Sequence, residues 1–112
     1  MHIIEFEVVD LRVPTSDRLL GSDPFHRKPN YSAVLTKLYV DNGIEGVSVT
    51  FTIGAGTDWV AYAVRDLMQL IVGRSLDEFT KDPGGFHRML LDHHQLRWLG
   101  DGMGRMVIGS VM

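Results

Sequence analysis

The chain has no cysteine, no apolar run near the roughly 20 residues of a membrane span, and no run of lysine and arginine in its 112 residues. The first absence excludes disulfides and thiolate chemistry, so the chain depends on a packed core. Glu5, Glu7 and Asp10 interrupt the apolar N-terminus, which is incompatible with a secretory leader. The expectation is a soluble, cytoplasmic protein. A formal charge of -3 and a pI near 5.9 supply no field to gather nucleic acid or an anionic membrane, and neither is an expected partner.

What is present fits one globular domain. Hydrophobic residues make up 45% and charged residues 22%, and a chain of this length has room for one core and no second domain. The first half carries period-two alternation. Ile4, Phe6 and Val8 stand opposite Glu5 and Glu7, and the phase then slips to Val9, Leu11 and Val13, which a bulge near Val8 and Val9 would explain. Ala33 to Val40 is rich in β-formers, and Asp41-Asn42-Gly43 is a hairpin signal. In the next strand Val47, Val49, Phe51 and Ile53 share one face, and Ser48, Thr50 and Thr52 the other. These segments predict an antiparallel three-stranded meander over residues 1–54.

Residues 56–100 carry helical period. Thr57 is a candidate cap for a helix with Val60, Ala63, Val64, Leu67, Met68 and Ile71 on one stripe, ended by a left-handed Gly73. Ser75-Leu76-Asp77-Glu78 has the capping-box pattern, and Pro83-Gly84-Gly85 stops the short helix it opens. A third helix is predicted from Phe86 to Leu99. Residues 102–112 are apolar and read as the truncated start of another helix, with a docked or partner-bound tail as the alternative. Strands followed by helices predict an α+β fold, a meander followed by a helical bundle, with the helices on one sheet face.

The segment from Pro14 to Asn30 is unusual. Most connections run to about 4–6 residues, and loops beyond roughly 12–15 are commonly binding loops. Between Arg12 and Lys28, Arg12, Arg18, Arg27 and Lys28 outnumber Asp17 and Asp23, a local positive excess suited to a carboxylate. A solvated loop surface explains the same residues equally well. Gly54-Ala55-Gly56-Thr57 either presents backbone N–H groups to an anion at a helix start or is a turn that needs glycine; it lacks a P-loop lysine. His87 and His94, seven residues apart on one helix, would stand about 10.5 Å apart along its axis, too far for one ion with bonds of about 2 Å. No metal site is expected.

In order, Gly21-Ser22-Asp23-Pro24-Phe25-His26-Arg27-Lys28-Pro29-Asn30-Tyr31-Ser32-Ala33, then Gly46 to Thr57, then Gln95-Leu96-Arg97-Trp98-Leu99-Gly100, resemble the amino-terminal domain of L-fuconate dehydratases. These belong to the mandelate racemase/muconate lactonizing branch of the enolase superfamily. The resemblance covers nearly the whole chain and implies a capping domain over a (β/α)₈ barrel. Its two loops would close over an acid sugar, assigning substrate contacts to Gly21, Ser22, Asp23 and His26 in the first loop and to Thr52, Gly54, Gly56 and Thr57 in the second. Trp98 falls in a matching Leu-Arg-Trp motif, with a helix-end aromatic packed in the core as the alternative. The resemblance also implies Mg²⁺ and catalytic bases on barrel strands, none of which this chain contains. The expectations are no catalytic residue or metal ligand here, no activity without a barrel, and a homodimer formed through uncovered apolar surface including Met106 to Met112.

Overall fold

The period-two stretches pair as an antiparallel sheet in the computed structural model, which describes residues 1–18, 29–99 and 101–112. Strands β1 (Ile3–Leu11), β2 (Ser32–Val40) and β3 (Glu45–Thr52) lie in the order β1-β2-β3. Helices α1 (Thr57–Met68), α2 (Leu76–Thr80), α3 (Pro83–Leu91), α4 (His94–Leu99) and α5 (Met103–Val111) follow. This is the α+β meander-then-helices architecture expected from the sequence, and 112 residues are too few for a (β/α)₈ barrel. The β2–β3 turn behaves as its residues dictate: Gly43 takes φ 85°, and Asn42 Oδ1 accepts the Ile44 N–H at 3.0 Å.

The irregularity in β1 lies earlier than the alternation suggested. Ile3 pairs with Val40 and Glu5 with Tyr39, and register then runs unbroken to Leu11 opposite Ala33. Ile4 is therefore the extra residue. It switches the inward phase from Ile3 to Phe6 and Val8, and no bulge occurs at Val8 and Val9. Val9 and Leu11 simply belong to the other face.

That other face is the one the helices leave uncovered. On β3 the buried residues are Thr50 and Thr52, with Ser48 half-buried, whereas Val47, Val49 and Phe51 are 58%, 65% and 58% exposed. The polar stripe is turned inward because partners wait there. Thr36 Oγ1 lies 3.1 Å from Ser110 Oγ, Ser48 Oγ donates to Ser110 O at 2.6 Å, and Thr52 Oγ1 lies 2.8 Å from Thr57 Oγ1. Among the described residues no buried side-chain nitrogen or oxygen lacks a partner, as low-dielectric burial requires.

The core joins the sheet to α1, α3 and α5. Val34, Val64, Met68, Leu90 and Val107 are fully enclosed, with Ile3, Leu67 and Ile71 almost so. Each such side chain contributes about 1.5–3 kcal/mol by leaving water. Val107, Ile108 and Val111 of α5 belong to this core, so the apolar C-terminal segment is mostly buried within the chain, and of residues 106–112 only Met106, Gly109 and Met112 are exposed. Its helical character is as predicted.

Several helix boundaries differ from the sequence reading. Gly56, at φ 79°, is the N-cap of α1, while Thr57 is the first helical residue and sends its hydroxyl back to Gly54 O at 2.9 Å. The helix ends at Met68; Gly73 is left-handed as expected, but it sits beyond a run of turns and donates its N–H to Ile3 O. Ser75 caps α2 through Asp77 N–H, and the Glu78 carboxylate accepts from Arg74 Nη2 at 2.6 Å and is also stabilised by the Ser75 backbone N–H. Pro83 stops α2 and then opens α3 as its first residue, where a missing N–H costs nothing. The single helix expected from Phe86 to Leu99 is two helices, because His93 Nδ1 accepts the Gln95 N–H at 3.3 Å and so caps α4.

Replacing Leu90 by alanine should lower the unfolding free energy by about 2–5 kcal/mol, because a fully enclosed side chain leaves a cavity. Trp98→Ala should change it by less than about 0.5 kcal/mol, since Trp98 is 88% exposed. Urea denaturation of both variants checks the pair.

Candidate functional site

A three-stranded meander brings the end of β1, the start of β2 and the end of β3 to one edge of the sheet. Register confirms it: Leu11 faces Ala33, and Ser32 faces Thr52. The β1–β2 connection and the β3–α1 turn must therefore emerge together. At this edge Thr15–Arg18 forms a single 3₁₀ turn, and Tyr31 packs on Phe51 with ring centroids 5.7 Å apart.

Hydrogen bonds bind the two connections. Thr15 Oγ1 donates to Pro29 O at 2.9 Å and accepts the Tyr31 N–H at 2.8 Å. Ser16 donates both its N–H and its hydroxyl to Asn30 Oδ1, and Asn30 N–H donates to Ile53 O. Gly54, at φ +91°, lies directly against Asn30, where a Cβ would stand 3.0 Å from the Asn30 carbonyl oxygen. Both features of the backbone require glycine.

Of the residues assigned to substrate contact, Gly21, Ser22, Asp23 and His26 lie outside the described residues. Gly54 and Gly56 are at the shared edge, both at positive φ. Thr52 and Thr57 are there too, but their hydroxyls point into the protein. With the Thr57 proton committed to Gly54 O, Thr52 is the donor in their 2.8 Å contact. Ala55 and Gly56 of this turn, rather than those two hydroxyls, are exposed. Trp98 stands on α4, which packs on α3 and α5, and its exposure shows that it is not a core aromatic.

Of the cations counted in the loop's positive excess, Arg12 is engaged by carboxylates. Arg12 makes a two-pronged contact with Asp10 at 2.9 and 3.0 Å and lies 3.9 Å from Asp58. The hydrogen bonds from Arg12 hold the Asp10 carboxyl below its usual value of 3.8, and Asp10 raises Arg12 in turn. Arg12 is thus a structural partner of β1 and α1.

Beside this edge the structure shows a feature that the sequence reading passed over. An open cavity of about 690 Å³ lies between α1, α4 and α5, with Asp58, Trp59, Tyr62, Asp66, His93 and Met103 among its lining. Trp59 and Tyr62 are 70% and 64% exposed. The available signal was that both aromatics fall off the apolar stripe of α1, one turn apart. Asp66 Oδ2 accepts from Gln95 Nε2 at 2.8 Å and lies 3.1 Å from His93 Nε2, fixing the wall contributed by α4. Among the described residues no group of three or more His, Asp or Glu is arranged to hold a metal ion, and no helix is long and apolar enough to cross a membrane.

No protein-family model matches the chain. Individual proteins do. It is 38% identical over 105 residues to human mitochondrial enolase superfamily member 1, and 35% identical over 112 residues to L-galactonate dehydratase of Hypocrea jecorina. These alignments cover 92% and 98% of this chain but 24% and 25% of those proteins. The chain thus spans about a quarter of the length of the curated relatives it matches. The crystal structure of the human protein superposes with a TM-score of 0.90 at 36% identity, covering 98% of this chain and 26% of that one. A magnesium-bound racemase from Streptomyces coelicolor A3(2) superposes at 0.76 with 20% identity, covering 97% of this chain and 29% of that one, a likeness of fold.

Two outcomes are expected. Thr57→Val removes the acceptor of a buried Thr52 hydroxyl and should cost about 1–3 kcal/mol in chemical denaturation. Asp10 and Glu78 both have lowered folded pKa values, through hydrogen bonds from Arg12 and Arg74 respectively. Their contribution is complete above the ordinary values of 3.8 and 4.5 and is lost as pH falls through the lower folded ones. Stability should therefore be insensitive to these groups from pH 7 to 5 and drop below about 4.5, with a shallower drop in Glu78→Gln.

Proposed function

Because the chain belongs to the enolase superfamily, as an amino-terminal domain of the mandelate racemase/muconate lactonizing branch, we propose that it caps a sugar-acid dehydratase and helps select its substrate. The observation that carries this reading is the junction of the β1–β2 and β3–α1 connections at one edge, in a chain that aligns throughout with part of an L-galactonate dehydratase. The substrate is an acid sugar close to L-fuconate, and the compartment is the cytoplasm. The exposed Ala55–Gly56 segment, beside the positive end of α1, favours an anionic group.

The cap supplies binding surface and exclusion of water, and its partner is a (β/α)₈ barrel. Superfamily members use magnesium for their chemistry, and the described residues of this domain do not fit that ion, having no cluster of three acidic or imidazole ligands. In the proposed enzyme the groups that move protons are those of the barrel, as the family resemblance implies.

A second reading, self-association, is favoured by the uncovered face of the sheet. Leu11, Val47, Val49 and Phe51 are each about half exposed or more and, with Val9 and Leu35, form one apolar area on three adjacent strands. Exposed areas of this kind usually acquire a partner. The expected assembly is a twofold dimer, which is compatible with the capping role.

The 112-residue chain mixed with aldonic acids and Mg²⁺ should show no turnover; measurable dehydration by a pure sample would sink the capping proposal. Sedimentation at micromolar concentration should show a dimer, and Val49→Lys should return it to monomer. A wild-type chain that sediments only as monomer rules out self-association.

A further inference from the structure

Asn30 uses nearly every group it has to join the two connections. Its N–H donates to Ile53 O at 3.0 Å, and its carbonyl accepts from Ser32 Oγ at 2.7 Å. Its Oδ1 accepts from Ser16 N–H at 3.1 Å and Ser16 Oγ at 2.6 Å. On its other side, its carbonyl oxygen and Cβ lie where a Gly54 side chain would need to be, at 3.0 and 3.1 Å from an ideal Cβ. Ser16 and Gly54 are thus held to the same residue from opposite sides. The 3₁₀ turn that begins the long connection has a fixed relation to the turn that begins α1.

We infer that Asn30 is a positioning residue that makes the base of the β1–β2 connection and the Ile53–Gly56 turn move as one body. A ligand contact on either side then biases the other through a hydrogen-bonded joint. The functional importance of the joint rests on the capping reading, but its existence does not. Asn30 is suited to the task because its amide oxygen accepts two donors at once. The acceptor oxygen is therefore the working atom, and aspartate retains it.

The test is amide hydrogen exchange by NMR on the whole 112-residue chain. Asn30→Ala should speed exchange at Ser16 about tenfold, because its acceptor is lost, while Val64 and Leu67 in α1 keep their protection. Asn30→Asp should restore Ser16 to within about threefold of the wild type, an outcome that simple loss of packing at position 30 does not produce. Gly54→Ala should also speed Ser16 exchange about tenfold, although no contact between Gly54 and residues 15–18 is needed for it. Should that variant fail to fold, Ser16→Ala reads the joint in the other direction, and the Gly54 amide resonance must shift. Unchanged Ser16 exchange in Asn30→Ala or in folded Gly54→Ala overturns the inference. So do failure of Asn30→Asp to restore Ser16, and a Gly54 resonance unmoved by Ser16→Ala. None of these readouts involves an acid sugar or a barrel, so the capping reading can fail while the joint stands, and the reverse.

Discussion

The structure depends on hydroxyl groups that are buried and paired beneath the helices. Ser32, Thr36, Thr50 and Thr52 occupy the covered face of the sheet, where α1 meets Thr52 with Thr57 and α5 meets Thr36 with Ser110. Each hydroxyl would cost free energy if buried alone, so these positions fix where the two helices can sit. An apolar side chain slides on an apolar surface with little penalty, whereas Ser110 must stand within reach of both Thr36 and Ser48. Dispersion and burial hold α5 down through Val107, Ile108 and Val111, and the hydroxyls set its register.

That choice of face has a consequence for the rest of the surface. Because the hydroxyl stripe of β3 is turned inward, Val47, Val49 and Phe51 must be turned outward, given the two-residue period of a strand. Alternation in the sequence revealed that β3 has an apolar and a polar face, but it carries no statement of which one meets the helices. The deciding residues, Thr57 and Ser110, lie 5 and 62 positions away from their β3 partners. The same limit explains the bulge: the slip in phase was legible, but its place at Ile4 follows from pairing with Val40 and Tyr39.

Helices were legible as far as their apolar stripes extended, and less so where a side chain ended them. Val60, Val64, Leu67 and Met68 form the buried stripe of α1 as their spacing indicates. The break between α3 and α4 was hidden because His93 acts as a cap through ring nitrogen Nδ1, a role that residue preferences assign to Ser, Thr, Asp or Asn. Of the candidate site, the glycine positions were legible because turns demand them. Asn30 was visible as the last residue of a long loop and as part of the resembling run, but not as a joint, since that role arises from contacts with Ser16 and Gly54, 14 and 24 positions away.

Topology alone would place the two connections near each other, yet proximity is not sufficient for a binding site. Segments at one sheet edge can move independently, and each then brings its own ordering cost to a ligand. In this chain, bonds from Thr15, Ser16 and Asn30 tie the 3₁₀ turn to the strand that follows it, and the Asn30–Gly54 contact extends the tie to α1. Part of the ordering is thereby done in folding, and the hydroxyl pair between Thr52 and Thr57 anchors the same turn to the core. Those two threonines are therefore better understood as the footing of the site than as its contact surface. On the capping proposal, ligand contact falls to the exposed Ala55–Gly56 segment that they hold in place.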